Sequence, residues 1–165
     1  MSCWSSRDVG GAQRYNNCKR DSLGPNCYGY AAHLSVNLDP GSRSNSNPDW
    51  YNVYSVAGSI IDDMNKMGCT ARFIGGPNSK ISKIEYRVAL RVGTKNVNDG
   101  LSSMLFPHND YHMMVQTITG AWAEKHGVGS DSILWDIGMT PDNIPWTYKG
   151  KEYYDSDIVY LAFGE

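Results

Sequence analysis

IEYRVALRV, residues 84–92, alternates apolar and polar side chains with a period of two. Its apolar face includes Tyr86 and Val88, and its polar face includes Glu85 and Arg87. Successive side chains of a strand point to opposite faces of the sheet, so this alternation predicts a half-buried strand. A strand with one buried face is typical of an antiparallel sheet that packs against a core on that side.

Four later apolar runs predict the strands that complete this sheet. They span residues 111–118, 121–125, 133–137 and 158–163, and the last of them, IVYLAF, is apolar enough to be buried on both faces. Thr119-Gly120 separates the first two runs and predicts a hairpin turn between them.

The residues before the first strand predict helices instead. Cys27–Val36 is preceded by Asn26, a favoured N-cap residue, and reads as a short helix. From Val53 to Met67 the apolar residues recur with the helical period, and Gly68 provides a C-terminal stop. Helices followed by a run of strands indicate an α+β fold, with N-terminal helices packed on an antiparallel sheet.

Composition limits the domain organisation and the classes of function. The chain has 165 residues, of which 41% are hydrophobic, so we expect a single domain over 1–165 with residues 1–25 as a polar N-terminal arm. The formal charge is -2 and no basic stripe is visible, which argues against a nucleic-acid partner.

No stretch approaches the roughly 18 apolar residues that a membrane span needs. The first residues contain no apolar core of a cleavable signal peptide. We therefore expect a chain that stays in the cytoplasm or leaves it by a signal-less route, for example within a virion, and the sequence does not decide between these.

The four cysteines, Cys3, Cys18, Cys27 and Cys69, contain no C-x2-C pair and so match no zinc-binding pattern. A Cys3–Cys18 disulfide that staples the arm and a set of free thiols are both compatible with the spacing.

Cys27 and His112 are the candidate nucleophile and base. A thiol at a helix start has its thiolate stabilised by unpaired N–H groups, which predicts a depressed pKa for Cys27. A nucleophilic thiol also needs a base that takes and returns a proton, and His112 lies on a predicted strand after the turn-rich residues 107–110.

Three segments resemble a group of bacterial and phage papain-like proteins. Gly24–Ala31, GPNCYGYA, resembles the group's N-C-Y-x-Y-A segment. Asp110–Gln116, DYHMMVQ, with Gly120–Gly127, GAWAEKHG, resembles its D-Y-H-W-Y-R-Q-D…G-x-W-S-H-K-P-G hairpin. Tyr86–Leu90 resembles the strand that precedes this hairpin in the group. The chain order, a helix with its Cys followed by a sheet with its His, is also similar to that of NlpC-type cell-wall peptidases and amidases.

The resemblance implies a Cys27 nucleophile and a His112 base in a papain-like or NlpC-like fold. The chain departs from the motif at Glu124, which stands where the group has its second His. A carboxylate at this position could orient the imidazole, and His126 and Asp136 are the other candidates for the third catalytic group. A two-residue turn at 119–120 would put Glu124 on the sheet face opposite His112, whereas a three-residue loop would put both on one face.

The resemblance, together with these residues, implies a cysteine hydrolase that cleaves amide bonds in a peptide or in peptidoglycan, without cofactor or metal. The replaced His leaves room for a non-catalytic structural or binding protein of a virion or secretion assembly. A transferase or deamidase that uses the same dyad is a further alternative. The expected partners are accordingly a peptide or peptidoglycan substrate, or a protein of the assembly.

Other polar residues are weaker candidates for a functional role. We expect His33 on the surface and Asp62-Asp63 on a solvated helix face rather than in a metal site. His108 lies in a predicted loop, where it could contact substrate.

Overall fold

The computed structural model describes residues 25–95 and 110–164, which form an α+β fold with an antiparallel sheet. This confirms the fold class predicted from the sequence. The elements in chain order are α1 (Cys27–Ala31), α2 (Val53–Lys66), β1 (Thr70–Ile74), β2 (Glu85–Val92), β3 (Tyr111–Gln116), β4 (Trp122–Lys125), β5 (Ser132–Leu134), β6 (Thr147–Tyr148), β7 (Lys151–Glu152) and β8 (Val159–Gly164).

The main sheet has the order β1-β8-β2-β3-β4-β5, and every neighbouring pair is antiparallel. The last strand therefore lies inside the sheet, with Leu161 opposite Phe73 on one side and Val88 on the other. All six residues of β8 are buried, which explains its uninterrupted apolar sequence.

Each face of the sheet is covered by a different part of the chain. The helices cover one face, where Val56, Ile60 and Met64 of α2 belong to the larger core cluster. The other face is covered by the chain between β5 and β8, and its smaller cluster includes Trp146 and Tyr154. We call these the helix face and the loop face.

Strand β3 has both faces buried, and its residues alternate between the two clusters. Tyr111, Met113 and Val115 belong to the helix-face cluster, whereas Met114 belongs to the loop-face cluster. His112 has the parity of Met114, so its side chain points to the loop face.

The caps explain where the helices begin and end. The Asn52 side chain accepts from the main-chain N–H groups of Tyr54 and Ser55, and Gly68 follows α2 with a φ of 83°. Helix α1 is shorter than predicted because it ends at Ala31, and His33 adopts a left-handed φ of 55° that interrupts the helix before Val36.

The sequence did not predict strand β1 or the β6–β7 hairpin. Strand β1 forms an edge of the sheet and buries none of its residues fully, so its sequence lacks a clear alternation. The β6–β7 hairpin has strands of only two residues, which are too short to produce a periodic pattern.

Two surface predictions were wrong. His33 is buried, and its ring stacks on Tyr86 with the centroids 4.3 Å apart. Asp63 is fully buried, whereas its neighbour Asp62 is exposed as expected. Asp63 has no place on a solvated face because the loop before α2 folds over it and supplies hydrogen-bond donors to its carboxylate.

Cys69 is disulfide-bonded, while Cys27 is a free thiol. The predicted arm up to residue 24, with its Cys3 and Cys18, and the predicted substrate contact His108 lie outside the described residues. Over the ranges 25–95 and 110–164, no helix has the length and apolar character that crossing a membrane requires.

Candidate active site

Cys27 is the first residue of α1, and Asn26 before it fixes the local backbone. The Asn26 Oδ1 accepts from the main-chain N–H of Gly29 at 3.0 Å and from that of Leu38 at 3.2 Å. Its Nδ2 donates to the carbonyl oxygen of Leu38 at 2.6 Å. One side chain thus caps the helix and ties it to the chain that follows.

The thiol of Cys27 is buried against strand β3. It lies next to the main chain of Met113 and the side chain of Tyr111, and only 7% of the residue is exposed. Burial, together with the negative charge of Asp110, raises the pKa of the Cys27 thiol above its ordinary value. The predicted depression of this pKa is therefore wrong: the five residues of α1 make only a short helix dipole, and desolvation outweighs it.

His112 lies in the middle of an aromatic group on the loop face. Its ring stacks with Tyr154 at a centroid distance of 5.3 Å and meets the edge of Trp146 at 6.0 Å. The Tyr154 hydroxyl donates to Asp110 Oδ2 at 2.7 Å, so this wall of the site is itself held in place. Only 2% of His112 is exposed.

Glu124 reaches the same face as His112 because of the loop between β3 and β4. Thr117 N–H donates to the Ala121 carbonyl oxygen, which leaves three residues in the loop, with Gly120 at a φ of 90°. Glu124 then pairs with Met114, two residues from His112. The chain therefore follows the three-residue alternative, and the Oε2 of Glu124 lies 3.8 Å from His112 Nε2.

His126 completes this group from the end of β4. Its Nε2 lies 2.5 Å from the Oε1 of Glu124, and its ring stacks on that of His112 with the centroids 4.5 Å apart. Burial alone would raise the pKa of Glu124, but interactions with His112 and His126 outweigh it and lower the pKa to about 2. Glu124 is thus a carboxylate at neutral pH.

The structure brings some of the expected residues together and leaves others apart. Glu124 and His126 both join His112, whereas Asp136 is exposed on the chain after β5. Cys27 contacts the strand at the residues on either side of His112, while the His112 ring packs in the loop-face cluster. The thiol and the ring therefore lie at the same level of β3 but on opposite faces of the sheet.

Sequence reasoning did not connect the aromatic walls of the site with His112. Trp146 and Tyr154 come from a segment with no periodic pattern, 34 and 42 residues after His112 in the chain. No local signal connects them to His112, because their position depends on how the long connection between β5 and β8 folds back over the sheet.

Known protein families, curated proteins and solved structures offer no match to this chain.

Proposed function

We propose that this chain is a thiol-dependent hydrolase of amide bonds, with Cys27 as nucleophile, His112 as base and Glu124 as the group that orients the base. The approach of Glu124 Oε2 to His112 Nε2, at 3.8 Å, carries this proposal. A buried carboxylate beside an imidazole stabilises the imidazolium that forms when the ring takes a proton, and it orients the ring once the two close to hydrogen-bond distance. The thiol lies against Met113, the next residue along the same strand.

The raised pKa of Cys27 defines the first step. A neutral thiol must lose its proton during the attack, so the proton passes from sulfur to His112 as the C–S bond forms. The amide C–N bond then breaks, and the imidazolium returns the proton to the leaving amine. Water attacks the resulting thioester, which releases the acid and restores the thiol; an amine in place of water would make the chain a transferase.

This sequence of steps requires one rearrangement. Rotation of the thiol alone does not suffice, because Cys27 belongs to the helix-face cluster and the His112 ring packs on the loop face. The β3 residues around Met113 have to shift so that the ring comes within reach of the thiol and can take its proton. Substrate that displaces the contacts of the buried thiol would supply the driving force for this change.

The substrate class and the papain-like fold are part of the same proposal. The resemblance of the segments around Cys27, His112 and Trp122 to papain-like and NlpC-like proteins supports an amide substrate in a peptide or in peptidoglycan. The order of the helix with its cysteine, then the strand with its histidine, supports a papain-like fold.

The burial of the three residues favours a second candidate, a binding or structural protein without turnover. Cys27, His112 and Glu124 are 7%, 2% and 1% exposed, so a substrate has no direct access to their reactive atoms. Such a protein would interact with the other components of an assembly through its surface.

Amine release from peptidoglycan fragments and from a mixed peptide library tests the proposal. Cys27→Ala and His112→Ala should abolish release, whereas Glu124→Gln should lower kcat by a smaller factor because it removes orientation but not the base. Asp136→Asn, an exposed carboxylate outside the site, is the matched control and should retain full activity. Turnover by Cys27→Ala at the wild-type rate would exclude the thiol mechanism, and a folded wild type inactive on both substrate sets would favour the second candidate.

A further inference from the structure

Three side chains that can bind a metal ion converge at one end of strands β3 and β4. Glu124 lies on β4 and His126 directly follows this strand, two residues later, so both side chains point to the same side. The register that pairs Met114 with Glu124, continued by two residues, puts His112 opposite His126. One ligand atom from each of the three, the imidazole nitrogens and a carboxylate oxygen, lies within 4.8 Å of the others.

Two buried atoms of this group have no hydrogen-bond partner among the described residues. They are His112 Nε2 and Glu124 Oε2, on residues that are 2% and 1% exposed. Their separation of 3.8 Å is too long for a hydrogen bond. Buried polar atoms nearly always have partners, so both point to a group that would lie between them.

The distances suit a small cation. In a tetrahedral site with metal–ligand distances of about 2.0–2.2 Å, two ligand atoms lie about 3.3–3.6 Å apart. The observed 3.8 Å between His112 Nε2 and Glu124 Oε2 needs a shift of only a few tenths of an ångström. The His126–Glu124 contact of 2.5 Å would open by about 1 Å, which rotation of the partly exposed His126 ring allows.

Among the residues that the structure describes, no lysine or arginine contacts the carboxylate of Glu124. Arg91 lies opposite His112 on β2, but its Nε donates to the Ser156 carbonyl oxygen and its guanidinium lies over Trp146. Lys125 lies next to Glu124 in sequence, and its Nζ donates to the Gly127 carbonyl oxygen. The main chain at His126 is held by Ser130, whose hydroxyl donates to the His126 carbonyl oxygen.

We propose that His112, Glu124 and His126 form a binding site for a divalent transition-metal ion such as Zn²⁺. Two imidazole nitrogens and one carboxylate are a ligand set that Zn²⁺ accepts, with a fourth position open to water or substrate. His126 is 30% exposed on its side chain and provides the side from which the ion enters.

The binding site stands on its own geometry, whereas its consequence for activity rests on the proposed function. A metal ion on His112 Nε2 and Glu124 would take the orienting carboxylate from the base and hold the ring against proton transfer. Zn²⁺ would therefore inhibit the proposed hydrolase at concentrations that fill the site.

Calorimetric titration of the full, untagged, chelator-treated chain with Zn²⁺, together with the visible absorption of added Co²⁺, tests the site without an activity assay. We expect one ion per chain and the visible bands of tetrahedral Co²⁺ with nitrogen and oxygen ligands. His126→Ala is the primary variant, because its partial exposure makes loss of the ring tolerable to the fold. The His126→Ala substitution should weaken Zn²⁺ binding by at least about 10–100-fold, which is the loss that follows removal of an outer-shell partner of a metal ligand.

Glu124→Gln provides an independent variant, since it retains the shape of the side chain and removes its charge. Cys27→Ala and Asp136→Asn are the controls and should bind the ion as the wild type does. Near-ultraviolet circular dichroism of each variant verifies its fold. Absence of a bound ion in the wild type, or equal affinity in the folded His126→Ala and Glu124→Gln variants, would overturn the site. Neither result depends on whether the chain hydrolyses amides.

Discussion

Tyr28 and Asp63 join the two helices through a buried hydrogen bond, from the Tyr28 hydroxyl to Asp63 Oδ2, at 3.3 Å. The same carboxylate oxygen accepts from the main-chain N–H of Gly41 at 2.8 Å. The other oxygen, Oδ1, accepts from the N–H of Arg43 and from both the N–H and the hydroxyl of Ser44. One carboxylate thus organises the loop that separates α1 from α2.

Asp63→Ala should destabilise the protein strongly. The substitution leaves three main-chain N–H groups without their acceptor, and each unsatisfied buried group costs about 1–3 kcal/mol. The Tyr28 hydroxyl loses one of its two acceptors and keeps the carbonyl oxygen of Ile60. We expect a loss of about 3 kcal/mol or more in the free energy of unfolding, measured by urea titration. Asp62→Ala is the matched control on the exposed side of the same helix and should change it by less than about 0.5 kcal/mol. Equal effects of the two substitutions would contradict the role of Asp63.

Gly29→Ala should destabilise the start of the candidate active site. A Cβ at this position would lie 1.9 Å from the carbonyl oxygen of Val36 and 2.9 Å from Pro25 Cβ, so the backbone would have to move. We expect a loss of about 1–3 kcal/mol, as for other substitutions that overpack a core. Gly58→Ala provides the opposite case, because its Cβ would meet nothing within 4 Å. Replacing this glycine inside α2 should stabilise the protein by up to about 1 kcal/mol in the same titration.

The sequence predicted those parts of the fold that depend on local patterns. The alternation around Val88 and the helical stripe ending at Gly68 correspond to β2 and α2. Side chains whose surroundings come from distant segments were not predictable in this way. Asp63 and His33 look like surface residues in sequence, and only the packing of the loop before α2 and of Tyr86 buries them.

The same distinction applies to the candidate site. The spacing of His112 and Glu124 allowed two registers, and the length of the β3–β4 loop decided which one formed. The buried state of Cys27 was not visible in its helix-start motif, because the thiol is desolvated by residues of β3 that lie more than 80 positions later in the chain. The pKa of Cys27 is therefore raised, whereas the local sequence predicts that it is lowered.

Glu85 should make the stability depend on pH in the acid range. Its hydrogen bonds with Arg72, with the Nε–Oε2 distance at 2.7 Å, are the main cause that lowers the pKa of Glu85 from 4.5 to about 2. A carboxylate whose pKa is depressed in the folded state stabilises it above the unfolded pKa, and this contribution is lost as the pH falls through the folded value. The melting temperature of the wild type should exceed that of Glu85→Gln above pH 4.5, and the difference should shrink between pH 4.5 and about 2.

The size of that difference should be modest, because the Arg72 side chain is about half exposed and the pair is screened by water and salt. Added salt should therefore reduce it further at neutral pH. Glu152→Gln, at an exposed position on β7, is the matched control. A difference between wild type and Glu85→Gln that persists unchanged down to pH 2 would show that the ion pair is not its source.

Cys27 should react slowly with iodoacetamide in the folded protein. The thiolate is the reactive species, and both the burial of this thiol and its raised pKa keep the thiolate population small near neutral pH. Labelling followed by mass spectrometry at pH 7–8 should give a rate well below that of an unstructured cysteine peptide, and the rate should rise to the peptide value in denaturant. A Cys27 that is alkylated in the folded chain as fast as the free peptide would contradict the buried, neutral thiol.

The labelling rate also distinguishes the two candidate functions once a substrate fragment is present. A hydrolase in which substrate brings the thiol and the His112 ring together should label Cys27 more slowly when full substrate covers the site. A short fragment that opens the site without covering it should increase the labelling rate. His112→Ala should remove this acceleration, because the base that takes the thiol proton is absent. Asp136→Asn should preserve it. In a structural protein the labelling rate of Cys27 would follow only the opening of the fold. Asp63→Ala would then change the rate because it destabilises the fold. His112→Ala would not change it when its stability is matched to that of the wild type.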